Sequence, residues 1–431
     1  MRLAWAQVLE VLEQDSALQR LRVHCLAKHA GEVAAREVVA LNYLALNAAQ
    51  VPDARVLVNT TGLDLGLGTG GVAFVVPSTA LDIPVGTPVA TGTPVSVDAP
   101  VPVDAPVLAD APVPAGAPVS VAASAATNAS ISTDTACLPQ DSLVVPTQIG
   151  HIIKLRYTPL QREYATVEEP GSPYHAALKD ATSLDALPVV CCELHSQMPL
   201  VAAAVKHRLP SARLVYVMTD QAALPLAFSR LCKQTREAGL IDRTITSGQA
   251  FGGELEAINL HSALLAARHV ALASVAIVAP GPGIVGSHTR LGHGGVAQGE
   301  AINAVAALGG RSVAVLRLSW ADARPRHQAL SHHSIVALGQ VSLAGARVAV
   351  PKSLSQERKA QLDAAIAAAS LRMRHSFHDI EVEAITTNLS TSLRGLEVMT
   401  MGRTYTDDPE FFEAAFAAGI LAADLTASFD G

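Results

Sequence analysis

Val275-Ala276-Ile277-Val278-Ala279-Pro280-Gly281-Pro282-Gly283-Ile284-Val285-Gly286 is the stretch that decides the fold class. Its unbroken apolar run fits a strand buried on both faces, and the glycines end that strand in a loop. A polar, glycine-rich segment from Ser287 to Gly295 leads into a helix-like run, Val296 to Leu308. A second apolar strand, Ser312 to Leu318, exits through Asp322, Arg324, Arg326 and His327, with Ser331-His332-His333 just beyond. Strand, loop, helix and strand make the repeating unit of a parallel sheet.

The unit recurs on both sides. Strands are expected at Pro188 to Leu194, Arg213 to Met218, Arg243 to Thr246 and Arg347 to Val350. Helices are expected at Pro199 to Arg208, Leu224 to Ala238, Glu254 to Ala267, Ser355 to Ala369 and Phe411 to Leu425. Residues 161–431 therefore read as an α/β domain with a mostly parallel, doubly wound sheet, whose ligands bind beyond the strands' C-terminal ends.

Upstream the pattern is different. Ala6 to Leu12, Leu21 to Leu26, Glu37 to Leu44, Arg55 to Asn59 and Val72 to Val76 are short strand candidates. Such spacing predicts a small antiparallel β-barrel or sandwich, formed by residues 1–76 and 138–160. Five glycines between Gly62 and Gly71 suit either a tight turn between strands or a loop lining the main site. Residues 77–137 interrupt this small β domain. Pro-Val recurs there every six residues, from Pro88 to Pro118, among Ala, Thr, Ser and Asp. A proline in every copy removes a ladder donor, so a disordered, solvated, low-complexity insertion with polyproline-II character is expected.

Composition narrows the function classes. The chain has 431 residues, a formal charge of −7 and only 4 % aromatics, so its core must be built from Ala, Val and Leu. No basic block interleaved with aromatics appears, which argues against nucleic acid. No uncharged run approaches the ~20 apolar residues needed to span a bilayer, and Glu10 and Glu13 interrupt the N-terminus before a signal-type core could form. The five cysteines form no C-x-x-C pair, which fits a reducing compartment. A cytoplasmic protein is expected, without a nucleic-acid or membrane partner. Cys191 and Cys192 lie inside an apolar strand and read as core.

The strand exits carry the chemistry. The first gives Glu193 and His195, the second Asp220, the third Gly252 and Gly253, the fourth Gly281, Gly283 and Gly286, and the fifth Asp322, Arg324, Arg326 and His327. Gly281 to Gly286 fits G-x-G-x-x-G after a strand. The helix starts late, however, and no acid lies about 20 residues on to hold a ribose, so NAD(P) is not expected. Backbone amides offered to a phosphate or carboxylate, and a purely structural turn, are the two other uses of these glycines. Arg324 and Arg326 could clamp an anion, with Arg403 reaching the same place from the last strand; the alternative for each is an ordinary surface ion pair. His332, His333 and Glu193 are the metal-ligand candidates, since imidazole and carboxylate suit zinc, manganese or iron, although H-x-x-x-x-H-H matches no established zinc spacing. His327 or His195 could instead move a proton, with Asp220 or Asp322 as orienting partner. No G-x-S-x-G is present to suggest a serine nucleophile.

Several separate motifs resemble a bacterial family known as domain of unknown function 3866. They are Leu65 to Gly71, Lys154-Leu155-Arg156-Tyr157-Thr158-Pro159-Leu160-Gln161, Glu193-Leu194-His195-Ser196, Val217-Met218-Thr219-Asp220 and Gly248 to Gly253. Gly281 to Gly286, Arg326-His327 with Ser331-His332-His333, and Thr400-Met401-Gly402-Arg403 continue the series. The sequence departs from the family pattern at Gln221-Ala222, where Gly-Gly is usual. It departs again at Ser287-His288 and Gly292-His293-Gly294, where the loop usually carries Gly-Thr and Phe. The resemblance implies a shared fold and site and supplies no reaction. The residues themselves suggest an enzyme, a hydrolase or group transferase, that binds a small anionic, phosphate- or nucleotide-like molecule. The rivals are a metal-dependent hydrolase using Glu193, His195, Asp220, Asp322 and the His332-His333 pair, and a non-catalytic sensor or interaction protein.

Overall fold

The computed structural model describes residues 2–15, 17–26, 36–44, 46–64, 71–77 and 150–427. Most of the glycine loop around residue 66 and the Pro-Val insertion lie outside the described residues, as do positions 138–149.

Five strands close a small barrel: β1 (Leu3–Gln14), β2 (Leu18–Cys25), β3 (Arg36–Tyr43), β4 (Arg55–Asn59) and β5 (Val72–Val75), in the order β1-β2-β3-β5-β4. Every pairing is antiparallel except β3 with β5. Alternation dictates the interior: Ala6, Val8, Leu21, Val23, Ala40, Val56 and Val58 point inward and are buried, while their polar neighbours face out. Two register shifts in the long β1, after Val8 and after Val11, bend it around the barrel.

The segment after the insertion was expected to resume this domain. Instead β6 (Ile152–Lys154) pairs only with β7 (Arg162–Tyr164), as a separate hairpin. Lys154 explains the change, because its fully buried ammonium is bonded to Glu256 at 2.6 Å and to the Ala250 carbonyl at 2.5 Å, both in the α/β domain. The turn of the hairpin still touches the barrel, where the Asn59 amide donates to the carbonyls of Pro159 and Gln161.

The second sheet has eight strands, all parallel. They are β8 (Pro188–Cys191), β9 (Leu214–Thr219), β10 (Arg243–Ser247), β11 (Leu255–Ala257), β12 (Val275–Pro280), β13 (Arg311–Ala314), β16 (Arg347–Pro351) and β17 (Ser376–Ile380). The order is β11-β10-β9-β12-β8-β13-β16-β17, and a small hairpin, β14 (Leu318–Ser319) with β15 (Ala329–Leu330), follows β13. Helices Gln197–Arg208, Arg230–Glu237 and Pro409–Ala427 cover one face; Leu260–His269, Ala297–Ala307 and Gln356–Ala368 cover the other. Phe411, Phe412 and Phe416 of the last helix are fully buried, a burial worth about 1.5–3 kcal/mol per side chain.

Three expectations shift. The helix expected from Glu254 begins only at Leu260, where the Asn259 side chain accepts from the Ser262 amide at 3.0 Å; Leu255–Ala257 ahead of it is a strand. The helix expected from Leu224 begins at Arg230, because Ser229 caps it, accepting from the Cys232 amide at 2.9 Å. The edge strand β17 carries His378 and Asp379 and has too little apolar character to stand out.

Neighbouring strands β8 and β12 send their helices to opposite faces, so a crevice opens between their C-terminal ends. That is the topological switch point of the sheet.

Candidate functional site

Glu193 follows β8 and is completely buried. The Gln197 side-chain oxygen fixes the strand exit by accepting from the amides of Glu193 and Leu194, at 2.9 and 3.0 Å. One Glu193 oxygen accepts from Arg317 at 3.1 Å and from His333 Nδ1 at 3.0 Å; the other accepts from the Ser334 hydroxyl at 2.9 Å. Burial alone would raise this carboxyl, but the His333 hydrogen bond and the Arg317 charge outweigh it and hold it at about 2. An ionised carboxylate only accepts, so His333 Nδ1 carries the hydrogen and its Nε2 is left with a lone pair.

Two further histidines join His333 on that side. His332 and His333 open the short helix His332–Val336, where the Ser331 hydroxyl accepts from the His333 amide at 3.2 Å. His293 arrives on the loop that follows β12, and its ring stacks on His333 with centroids 3.8 Å apart and planes 2° apart. The His332 ring lies 4.4 Å from His333 and 5.2 Å from His293. Both ring nitrogens of His293 and Nδ1 of His332 are buried and have no hydrogen-bond partner among the described residues. Buried polar atoms are almost always bonded, so three unpartnered nitrogens in one cluster single it out as a candidate site. One nitrogen from each of His293, His332 and His333 lies within 4.8 Å of the others.

His293 and His332 are both held below the ordinary histidine value. Burial and the neighbouring His333 press His293 down to about 4, and burial, His333 and Arg326 lower His332. His327 falls to about 3, through burial and the charges of Arg317 and Arg324. The glycines make room. A methyl on Gly295 would come within 3.0 Å of His293 Nδ1 and 3.2 Å of both Glu193 and His333, and one on Gly286 would meet His293 at 3.5 Å.

The remaining candidates separate. His327 is 1 % exposed, its Nδ1 bonded to Ser331 at 2.8 Å and its Nε2 accepting from Arg326 at 3.2 Å, which leaves no nitrogen for a substrate. Asp322 is gripped by Arg324 through two bonds, at 2.9 and 2.7 Å, and lies 3.4 Å from Arg403. The Arg324 hydrogen bonds, with the charges of Arg324 and Arg403, hold Asp322 well below the usual carboxylate range; Arg403 also bonds Asp408 at 2.9 Å, so both arginines are committed to carboxylates rather than to an anion. Asp220 accepts from the Gln249 amide at 2.9 Å and bonds no histidine among the described residues. The amides of Gly252 and Gly253 are taken by Glu256 and Thr246, at 2.6 and 3.1 Å. Neither glycine offers a donor to a ligand. Cys191 and Cys192 are core, as expected; burial pushes Cys191 up to about 12.

His195 belongs to a different place. Its Nδ1 meets the Pro280 carbonyl at 3.1 Å and its Nε2 the Ser229 hydroxyl at 2.6 Å, and burial lowers it to about 4. It lines a cleft of ≈ 400 Å³ with Phe228, Leu231, Ile284, Met399 and Met401, and Gly281 and Gly283 form part of the same wall. His293, Arg317 and Ser229 were missed in the sequence. The signal for His293 was a histidine set among glycines, Gly292-His293-Gly294-Gly295, at a strand exit. Nothing local marks the other two.

Fold and site together define a doubly wound α/β protein with a buried imidazole cluster and an apolar cleft at its switch point. The chain belongs to the family described as "Protein of unknown function (DUF3866)", which it matches over residues 118–419. No curated protein and no solved structure matches it. Among the described residues no helix is long and apolar enough to cross a membrane.

Proposed function

We propose that the protein is a metal-dependent hydrolase whose divalent ion is held by His293, His332 and His333. One observation carries this: the imidazoles of His293, His332 and His333 converge, and His293 and His332 bring buried nitrogens that have no hydrogen-bond partner among the described residues. Behind them, Glu193 fixes the His333 tautomer, a carboxylate–histidine support that ligating histidines commonly have. Three protein ligands leave a position for water, and a bound divalent ion lowers the pKa of such a water to about 7.

Parallel stacking leaves the in-plane lone pairs of His293 and His333 side by side. With metal–nitrogen bonds of about 2.0–2.1 Å, the nitrogens must draw together to about 3.4 Å, so His293 turns on binding. Neither ring nitrogen has a partner at full hydrogen-bond geometry among the described residues; the Arg290 backbone makes a looser polar contact with the ring.

An anionic substrate fits the surroundings. Arg326 stands beside His332 and spends only its Nε on the protein, at His327; its two terminal amino groups have no hydrogen bond among the described residues. That guanidinium would receive a phosphate or carboxylate next to the ion. The test is hydrolysis of a panel of phosphomonoesters, phosphodiesters and carboxylate-bearing amides, with and without added zinc, manganese or cobalt. Metal-dependent turnover that His332→Ala abolishes is expected. Turnover that ignores both metal and the variant would overturn the proposal.

A further inference from the structure

A second chemical arrangement lies in the cleft, apart from the imidazole cluster. His195 Nδ1 lies 3.1 Å from the Pro280 carbonyl, which can only accept, and 3.2 Å from the Tyr216 hydroxyl, whose own hydrogen reaches that carbonyl at 3.2 Å; Nδ1 then carries the ring hydrogen and Nε2 holds a lone pair. Ser229 must then be the donor in its 2.6 Å contact with that Nε2. The same hydroxyl oxygen accepts from the Cys232 amide at 2.9 Å, which fixes its rotamer. A hydroxyl donating to a neutral imidazole, whose far nitrogen is oriented by a third group, is the arrangement that activates serine for attack. The backbone carbonyl stands where a carboxylate often serves.

Two further features point to a ligand. Arg230 and Leu231 follow Ser229 directly and supply the first two amides of an eight-residue helix; both residues line the cleft. These amides have no intrahelical acceptor and no other acceptor among the described residues. Donors of that kind, next to a nucleophile, stabilise a developing oxyanion. The cleft walls formed by Phe228, Leu231, Ile284, Met399 and Met401 are mostly apolar, and Phe228 and Met399 are 69 % and 58 % exposed at its mouth.

We propose that Ser229 and His195 form a nucleophile–base pair that hydrolyses carboxylic esters with an apolar acyl group. Ser229 Oγ bonds to the ester carbonyl carbon while its proton passes to His195 Nε2, and the carbonyl oxygen becomes an oxyanion facing the Arg230 and Leu231 amides. The carbon–oxygen bond to the alcohol then breaks, and His195 returns the proton to the departing alkoxide. Water adds to the acyl-serine with His195 again taking the proton, and collapse releases the carboxylic acid and restores Ser229.

The test uses the full chain, a fluorophosphonate probe and p-nitrophenyl butyrate, each with and without a strong chelator. Intact mass and peptide mapping should show one adduct on Ser229. Ester hydrolysis should fall by about 10²–10⁴-fold in His195→Gln, the range for loss of a general base. Ser229→Asn keeps a capping side chain, so it should fold normally while losing both adduct and turnover. No adduct on Ser229 in folded protein, or unchanged turnover in Ser229→Asn, would overturn the proposal. Chelator should change neither readout; if it abolished turnover, the chemistry would belong to the metal centre, and failure here leaves the metal reading untouched.

Discussion

Glu193 and His195 leave the end of β8 two residues apart and bond to partners on opposite faces of the sheet. Glu193 accepts from His333 at 3.0 Å, on the side where Ile335 and Leu338 join the core; His195 bonds Ser229 at 2.6 Å, beside Cys232 in the other core. One strand exit thus supports the imidazole cluster and also builds the wall of the cleft.

Glu193→Gln separates support from ligation. The amide keeps the shape but loses the charge that orients His333, so metal affinity should fall by about 10–100-fold. Arg317 would lose the nearer of its two carboxylates and keep only Asp322, 3.7 Å away, so stability should fall by about 1–3 kcal/mol. Competition against a chelator measures the first effect and urea unfolding the second. Parent-like values in both would remove Glu193 from the site.

Gly295→Ala places a methyl among the groups that must move. With His293 Nδ1 3.0 Å away and Glu193 and His333 at 3.2 Å, overpacking should cost about 1–3 kcal/mol. Cobalt titration followed by visible absorption should show weaker binding. Unimpaired binding would mean that the cluster has room to spare.

Acid should loosen the fold in two stages. His195 sits at about 4 against an ordinary value of 6.5, so between those values the unfolded chain binds the extra proton. Stability is then unaffected above pH 6.5 and is lost as pH falls from 6.5 towards 4. Glu193 sits at about 2 against an ordinary 4.5, so its contribution is complete above 4.5 and is lost as pH falls from 4.5 towards 2. Melting temperature against pH should fall in both windows, and His195→Gln should reduce the slope of the upper one, where His293, His327 and His332 also contribute.

Lys154→Met tests the tie between the hairpin and the large sheet. The substitution keeps most of the volume and leaves Glu256 without its buried cation, 2.6 Å away in the parent, so about 3–5 kcal/mol should be lost. Urea unfolding checks it; a loss below 1 kcal/mol would show that the Thr246 and Gly252 bonds suffice for Glu256.

The sheet was readable because its strands are short, continuous apolar runs such as Leu214–Thr219, buried at every position. Edge strands were harder, since Ser376–Ile380 is half solvated and carries no such run. The pairing of the hairpin at Ile152–Lys154 was not legible because nothing in its sequence says that Lys154 is destined for Glu256, 102 residues on. In the site, adjacency in sequence helped only with His332 and His333. His293 lies 40 residues from His333 and stacks on it through a loop whose path the glycines permit but do not specify. The same limit scattered the proton-transfer candidates. His327 looked like a base beside arginines, yet folding turns both of its nitrogens inward, and Asp322 is neutralised by arginines that read as an anion clamp.

Elemental analysis of protein purified without chelator, beside His293→Ala and His332→Ala, tests the metal centre most directly. About one divalent transition-metal ion per chain is expected in the parent, as a three-histidine centre requires, and none in either variant. A metal-free parent that also fails to take up added zinc, manganese or cobalt would contradict it.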